Sequence, residues 1–284
     1  MACVLGAVDP DLDILLSLFG RDFYITEHRG FTHSLMGMGP AAMLAAWAAW
    51  WVFRKTGDRA TFTALWVMAL LGVTSHMFLD WCTTWGTMLL WPDKTRFALD
   101  HLFIVDPWYW FLLAIPVSLS FLYKQRRVSI CSLGICAALL YHGMAAFNHH
   151  QALKIAEEDR PQTWRVAFPQ PFSPFRWSVF DRGDGLVKNA RVDFLRALQP
   201  LAWEEYKEPV KSRNVLAAMD SDRGKIFFWF ARVPMWEEKQ QPDGSVEVFC
   251  WDMRFNNYLM RDRISKGFGA YFKVKNGIVF DSRF

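Results

Sequence analysis

ATFTALWVMALLGVTSHMFLD, residues 60–80, runs for twenty positions without a formal charge before it meets Asp80. A helix needs roughly 20 apolar residues to cross a bilayer core, so the stretch reads as a membrane span with His76 and Asp80 near one end. Working outward, Gly30–Phe53, Pro107–Tyr123 and Val128–Leu153 are also free of Asp, Glu, Lys and Arg, over 24, 17 and 26 residues. Pro107 and Pro116 mark the short third run as a tilted or kinked helix rather than a soluble strand. Arg54, Lys55 and Arg59 follow the first run, and Lys124, Arg126 and Arg127 follow the third. Short basic loops stay in the cytoplasm, which sends residues 1–34, the 80–106 connection and everything after about 150 to the opposite face. Trp81, Trp85, Trp91, Trp108, Tyr109 and Trp110 gather there as an interfacial belt would. A buried soluble four-helix core is the competing reading, and the spacing of the charges favours the membrane.

The chain has two unlike halves. Residues 1–150 hold 20 charged side chains and residues 151–284 hold 40, within a composition that is 52% hydrophobic and 17% aromatic. Modest charge, no sustained heptads and five scattered Cys exclude disorder, a coiled coil and a disulfide scaffold. A net charge of +4 without a basic run gives no expectation of nucleic acid. After His150, Pro161, Pro169, Pro171 and Pro174 read as an extended linker over 151–174. Beyond it, Phe175–Phe180, Gly224–Val233, Val246–Trp251 and Tyr271–Val274 are aromatic and β-branched. Asp181–Gly185, Gln241–Gly244 and Asn276-Gly277 separate them as turns, the last two as hairpin loops. Helices are expected near Val192–Leu198 and Glu204–Met219. The expected fold is an α-helical membrane bundle of about four transmembrane helices over residues 1–150, followed by a small strand-rich α+β domain over 175–284.

The chemistry is signalled by position. Asp9, Asp11 and Asp13 come first, His28-Arg29-Gly30-Phe31-Thr32-His33-Ser34 stands before the first span, His76 and Asp80 close the second, and Asp106 opens the third. All collect at one face. His76 and Asp80 are four apart, one turn of helix, and can share an ion. Inside an apolar run each costs a few kcal/mol unless partnered. Imidazoles and carboxylates without thiolate suit Zn, Mn or Fe. Asp9-x-Asp11-x-Asp13 is no calcium loop, since Ile14 replaces the required Gly and Gly20 the required Glu. Helix caps and internal hydrogen bonds are the plain alternatives for each residue taken singly. His101, His142, His149 and His150 show no ligand spacing.

These residues resemble the YdjM-like family of inner-membrane proteins described as metal-dependent hydrolases. The resemblance rests on GAVDPDLD at 6–13, HRGFTHS at 28–34, HMFLDWCTTWG at 76–86 and Asp106-Pro107. It is strongest over residues 1 to about 110. The family is in turn similar to zinc-dependent phospholipases C and single-strand nucleases, which implies phosphodiester hydrolysis. Family members have a preceding helix with a Thr-His, and Met1–Val8 reads as the tail of such a helix.

The resemblance implies a bacterial inner-membrane hydrolase using one to three divalent ions, zinc in first place and manganese as the substitute. Asp11, Asp13, His28, His33, His76 and Asp80 are the expected ligands. Asp80 or Asp106 is expected to take a proton from the attacking water, Arg29 to hold a phosphate, and Thr32 to donate to the substrate. The site and the C-terminal domain belong on the extracytoplasmic face, with the bilayer as partner and a lipid or lipid-linked phosphodiester as substrate. The rival expectation is a non-enzymatic anchor that presents the C-terminal domain and uses the His/Asp cluster structurally.

Overall fold

Helix α1 (Ala2–Val8) passes directly into a 3-10 segment, Asp9–Phe19, where Pro10 sits at the start and tolerates the missing N–H. In the computed structural model, which describes residues 1–56, 60–161, 164–196, 200–255 and 268–284, these two segments open the first of two units, Met1–Asp100 and His101–Phe284. Helices α2 (Arg21–Glu27), α3 (Leu35–Thr56) and α4 (Phe62–Trp81) complete it, with a 3-10 turn at Phe31–His33 between α2 and α3. Small residues bring α1 onto α4. A Cβ on Gly6 would stand 2.2 Å from the Ala69 carbonyl oxygen, and one on Gly72 would stand 2.1 Å from that of Cys3. Only glycine allows this approach, as in membrane helix pairs where backbones touch. Ala42, Ala45, Ala46 and Ala49 of α3 are buried with Ala69 and Val73 of α4 in the same cluster.

The helix expected from Gly30 begins at Leu35. Ser34 ends the preceding turn by accepting the Gly37 N–H at 3.0 Å, an N-cap that leaves residues 28–34 outside the helix. Among the described residues three helical stretches are long and apolar enough to cross a membrane: Leu35–Lys55, Phe62–Trp81 and Lys124–Asp159. The fourth expected span, α5 (Pro107–Leu122), is a shorter apolar helix of 16 residues.

In the second unit α5 lies along α6 (Arg127–Asp159), with Gly134 against Pro116. Two four-stranded antiparallel sheets follow, each a meander. The first holds β1 (Arg165–Gln170), β2 (Ser173–Gly183), β3 (Leu186–Asp193) and β4 (Glu204–Lys207); α7 (Arg213–Asp220) and α8 (Asp222–Phe230) precede β5 (Pro234–Gln240), β6 (Val246–Asp252), β7 (Gly269–Lys275) and β8 (Ile278–Arg283) of the second. Trp177, Val179 and Val192 bury Ala152 and Ala156 of α6, while Phe272 and Val248 bury Val215 and Phe227. The expected hairpins form. Asn276 and Gly277 both take positive φ (54° and 77°), the two-residue turn that matches strand twist.

Five expectations are corrected. Residues 151–174 are not a linker: α6 continues to Asp159, and β1 and the start of β2 occupy most of the rest. The division into units falls at Asp100, well before the change in composition, so α5 and α6 group with the sheets. Gly224–Val233 is mostly helix, because the Ser221 hydroxyl caps Gly224 N–H at 3.2 Å and Gly224, Phe227 and Phe230 bury at helical spacing. Near Glu204–Met219 the chain makes β4 before α7, with Pro209 between them. Of the helix expected near Val192–Leu198, Val192 and Asp193 instead end β3, Phe194–Arg196 form a turn, and residues 197–198 lie outside the described residues.

Candidate metal centre

His33 is the pivot of the first unit: its side chain is fully buried at the end of the 3-10 turn. His76 and Asp80 reach it from one face of the last two turns of α4, and Asp11 from the 3-10 segment after α1. His33 Nε2 lies 3.2 Å from His76 Nε2, 3.1 Å from Asp80 Oδ2 and 3.8 Å from Asp11 Oδ1. His76 Nε2 is 3.4 Å from both Asp11 Oδ1 and Asp80 Oδ2. A tetrahedral ion bound at zinc distances to N and O separates its donors by about 3.3–3.5 Å. The observed separations straddle that value, so the four residues fit a divalent ion of the N/O type.

What stands behind the donors decides which way they face. The Thr32 hydroxyl donates to Asp13 Oδ2 at 3.2 Å, so its oxygen accepts the Nδ1–H of His33 at 3.0 Å. Asp13 Oδ2 is also 3.5 Å from that Nδ1. In the Nδ1–H tautomer, which these two acceptors favour, Nε2 keeps its lone pair toward Asp11, His76 and Asp80. Burial, the largest influence, holds the His33 imidazole below its usual pKa, which favours the neutral, ligating form.

Asp13 and His28, expected among the ligands, stand instead in this supporting layer. Asp13 Oδ1 takes His28 Nδ1 at 2.9 Å, and Oδ2 takes the Arg29 N–H at 2.9 Å as well as Thr32. Burial by itself would raise the Asp13 carboxyl, yet the bonds from His28 and Arg29 outweigh it and hold the group below the carboxylate range. Thr32, expected to meet substrate, spends its hydroxyl on Asp13 and His33.

Arg29 departs from expectation in the same way. It is buried, and its guanidinium donates to Asp80 Oδ1 at 2.9 Å and Thr83 Oγ1 at 3.0 Å, so it clamps a carboxylate instead of awaiting a phosphate. Its backbone is in the left-handed region at φ 59°, a conformation that costs a bulky residue about 1–3 kcal/mol. The Asp13 bond to its N–H and the Met88 N–H bond to its carbonyl at 2.9 Å hold it there. With Oδ1 taken by Arg29, Asp80 turns Oδ2, which has no hydrogen-bond partner among the described residues, toward the histidines. Asp106 lies in the second unit, where it caps α5 through Trp108 N–H at 3.0 Å and accepts the Tyr141 hydroxyl at 2.6 Å.

Two contributors go beyond the expected set. Thr83 stands three residues past Asp80, a spacing that is itself a sequence signal for a shared helix end. Arg96 donates to the His28 carbonyl at 2.8 Å and to that of Ile25 at 3.2 Å, tying the 80–106 connection to α2 and the start of the His28–Ser34 segment, and nothing local in sequence marks it. In the second unit His101 Nδ1 and His142 Nε2 lie 3.4 Å apart, a pair that spacing does not reveal.

The segments that build this centre are also those shared with other proteins. The profile of the family described as YdjM inner membrane protein matches residues 1–152, more than half of the chain. The chain belongs to the YdjM inner membrane protein family. The inner membrane protein YdjM of Escherichia coli (strain K12) is 34% identical over 109 residues, 36% of this chain and 53% of that protein. The YdjM of Shigella flexneri matches to the same extent. YfhP of Bacillus subtilis (strain 168), an uncharacterized protein, is 33% identical over 108 residues, 38% of this chain and 32% of its own length. The chain thus spans about half, or a third, of the relatives it matches. No solved structure matches it.

Proposed function

We propose that this member of the YdjM family is a membrane-bound metal-dependent hydrolase, with Asp11, His33, His76 and Asp80 as ligands to a divalent ion, zinc in first place. The observation that carries this is the convergence of two imidazole nitrogens and two carboxylate oxygens at ligand-to-ligand separations. A divalent ion held there lowers the pKa of water toward about 7 and polarises a phosphoryl or carbonyl oxygen. The protein's part is positioning. Asp13 and Thr32 fix the tautomer of His33, and Arg29 fixes Asp80 and offsets its charge. Asp11 differs from the other three: its side chain is 58% exposed, against 0% for His33, so the centre has one open side, as catalytic sites do and closed structural sites do not. This carboxylate is the one that meets an incoming molecule and can take a proton from it.

The family resemblance and the membrane setting favour a phosphodiester or lipid-linked substrate. The basic end of α3, Arg54 and Lys55, is the end away from His33, which supports a cytoplasmic side for that loop and an extracytoplasmic side for the centre. The rival reading, an anchor with a structural ion, draws on the burial of His33 and on the dense bonding around Asp13.

Elemental mass spectrometry on detergent-purified protein tests the proposal beside a His33→Ala, His76→Ala double variant. Stoichiometric zinc or manganese, lost in the folded variant together with turnover of phosphodiester lipids, is the expected result. Folded protein that binds no ion after incubation with zinc overturns the metal centre; bound ion without turnover of any phosphodiester favours the anchor.

A further inference from the structure

A groove of about 960 Å³ lies within the second unit, with α5 and α6 as its floor and the first sheet as its roof. Ile115, Leu133 and Ala137 line the floor; Phe172, Phe175 and Leu195 line the roof. The polar side chains in its wall are already engaged. The Tyr141 hydroxyl donates to Asp106, Ser173 Oγ accepts the Phe175 N–H at 3.3 Å, and the Trp108 indole N–H donates to the Phe172 carbonyl at 2.9 Å. Among the described residues a polar ligand would find no convergent groups to orient it, whereas hydrocarbon needs none.

Two observations say where the hydrocarbon comes from. Ile115 and Leu133 are 54% and 71% exposed, and α6 belongs to a stretch long and apolar enough to cross a membrane, so the groove is continuous with the surface that meets the bilayer. Phe172 sits at φ 62° in the turn between β1 and β2 with 55% of its surface exposed. A bulky residue in the left-handed region is an outlier, and here the strained turn holds a large apolar ring out of the sheet's own core, against the groove. Apolar surface of that kind marks a contact with something apolar.

We propose that the groove takes one acyl chain of a bilayer phospholipid, drawn in from the side of α5 and α6 to lie beneath the sheet. The site belongs to the second unit and stands or falls separately from the metal centre. The test uses the full chain in phosphatidylethanolamine and phosphatidylglycerol vesicles doped with a phospholipid carrying a diazirine in one acyl chain, with crosslinks mapped by peptide mass spectrometry. Phe172, Phe175 and Leu195 are expected to be labelled. Labelling of Phe172 and Phe175 should fall several-fold when Ala137→Trp fills the floor or Leu195→Trp fills the roof, while the outward Leu140 on α6 stays labelled. Reduction in either folded variant supports the site. Unlabelled roof residues in the unaltered protein, or labelling unchanged in both folded variants, overturns it.

Discussion

His33 and His76 present their Nε2 atoms to each other across 3.2 Å, although 43 residues separate them in the chain. Two imidazole nitrogens this close either share a proton or share a cation. Because Thr32 and Asp13 hold the His33 proton on the far nitrogen, the lone pair of Nε2 is directed into the gap. The ion of the proposed function would meet that lone pair, and its seat would depend on residues that do not touch it.

Asp13→Asn is the direct test of that dependence. An amide accepts through a single oxygen and cannot serve His28, the Arg29 N–H and Thr32 together, so the orientation of His33 loosens. Zinc affinity, measured by competition with a chromophoric chelator, should fall about 10–100-fold, the usual cost of losing a supporting hydrogen bond at a metal. Asp93→Asn, on an exposed loop carboxylate, should leave it unchanged. Equal affinity in both variants would show that Asp13 does not position the ligand.

Helix contacts control the same centre from a distance. Gly72→Ala puts a Cβ 2.1 Å from the Cys3 carbonyl oxygen, which forces α1 off α4 and carries Asp11 away. Overpacking of this kind costs about 1–3 kcal/mol, read as a lower midpoint in detergent thermal unfolding, and bound zinc should drop with it. Gly39→Ala is the matched control in α3: a Cβ there meets nothing among the described residues within 4 Å, and replacing a helix glycine gains roughly 0.5–1 kcal/mol. A Gly72→Ala protein that melts and binds like the unaltered chain would refute the close approach of α1.

Sidedness is open to thiol chemistry once the right position is used. Cys250 is buried, and burial pushes its thiol up to about 12, so it should resist maleimide on either side. Ile278→Cys, at an exposed position of β8 in a chain whose Cys3, Cys131 and Cys136 are changed to Ser, should react with an impermeant maleimide on intact cells. Reaction only after permeabilisation would place the sheets in the cytoplasm and reverse the proposed orientation.

The membrane helices are legible in the sequence because their signal is long and cumulative: twenty uncharged residues in a row match the thickness of a bilayer core. The same holds for His76 and Asp80, whose spacing of four settles a shared face without any tertiary knowledge. Asp11 and Asp13 cannot be told apart in that way. They are two positions apart in a 3-10 segment at about 120° per residue, so they face different ways, and only the packing of α1 decides that Asp11 meets Nε2 of His33 and Asp13 meets Nδ1. Arg29 misleads for a related reason: its partner Asp80 is 51 residues away, and an unpaired guanidinium in a sequence looks like an anion site. The run Phe227–Phe230 fits a strand or a helix by composition, and the Ser221 cap, a single hydrogen bond, tips it to helix.

The donors of the centre arrive on separate pieces of chain, Asp11 after α1, His33 before α3, and His76 with Asp80 at the end of α4. No one piece offers more than two, so a tight grip on an ion is available only after the pieces have met. Under the proposed function, loading and assembly are linked, and the energy of coordination adds to the cohesion of the unit. The glycine contacts of α1 on α4 already hold those pieces together, so under the proposed function the ion tightens an assembly that the helices have made.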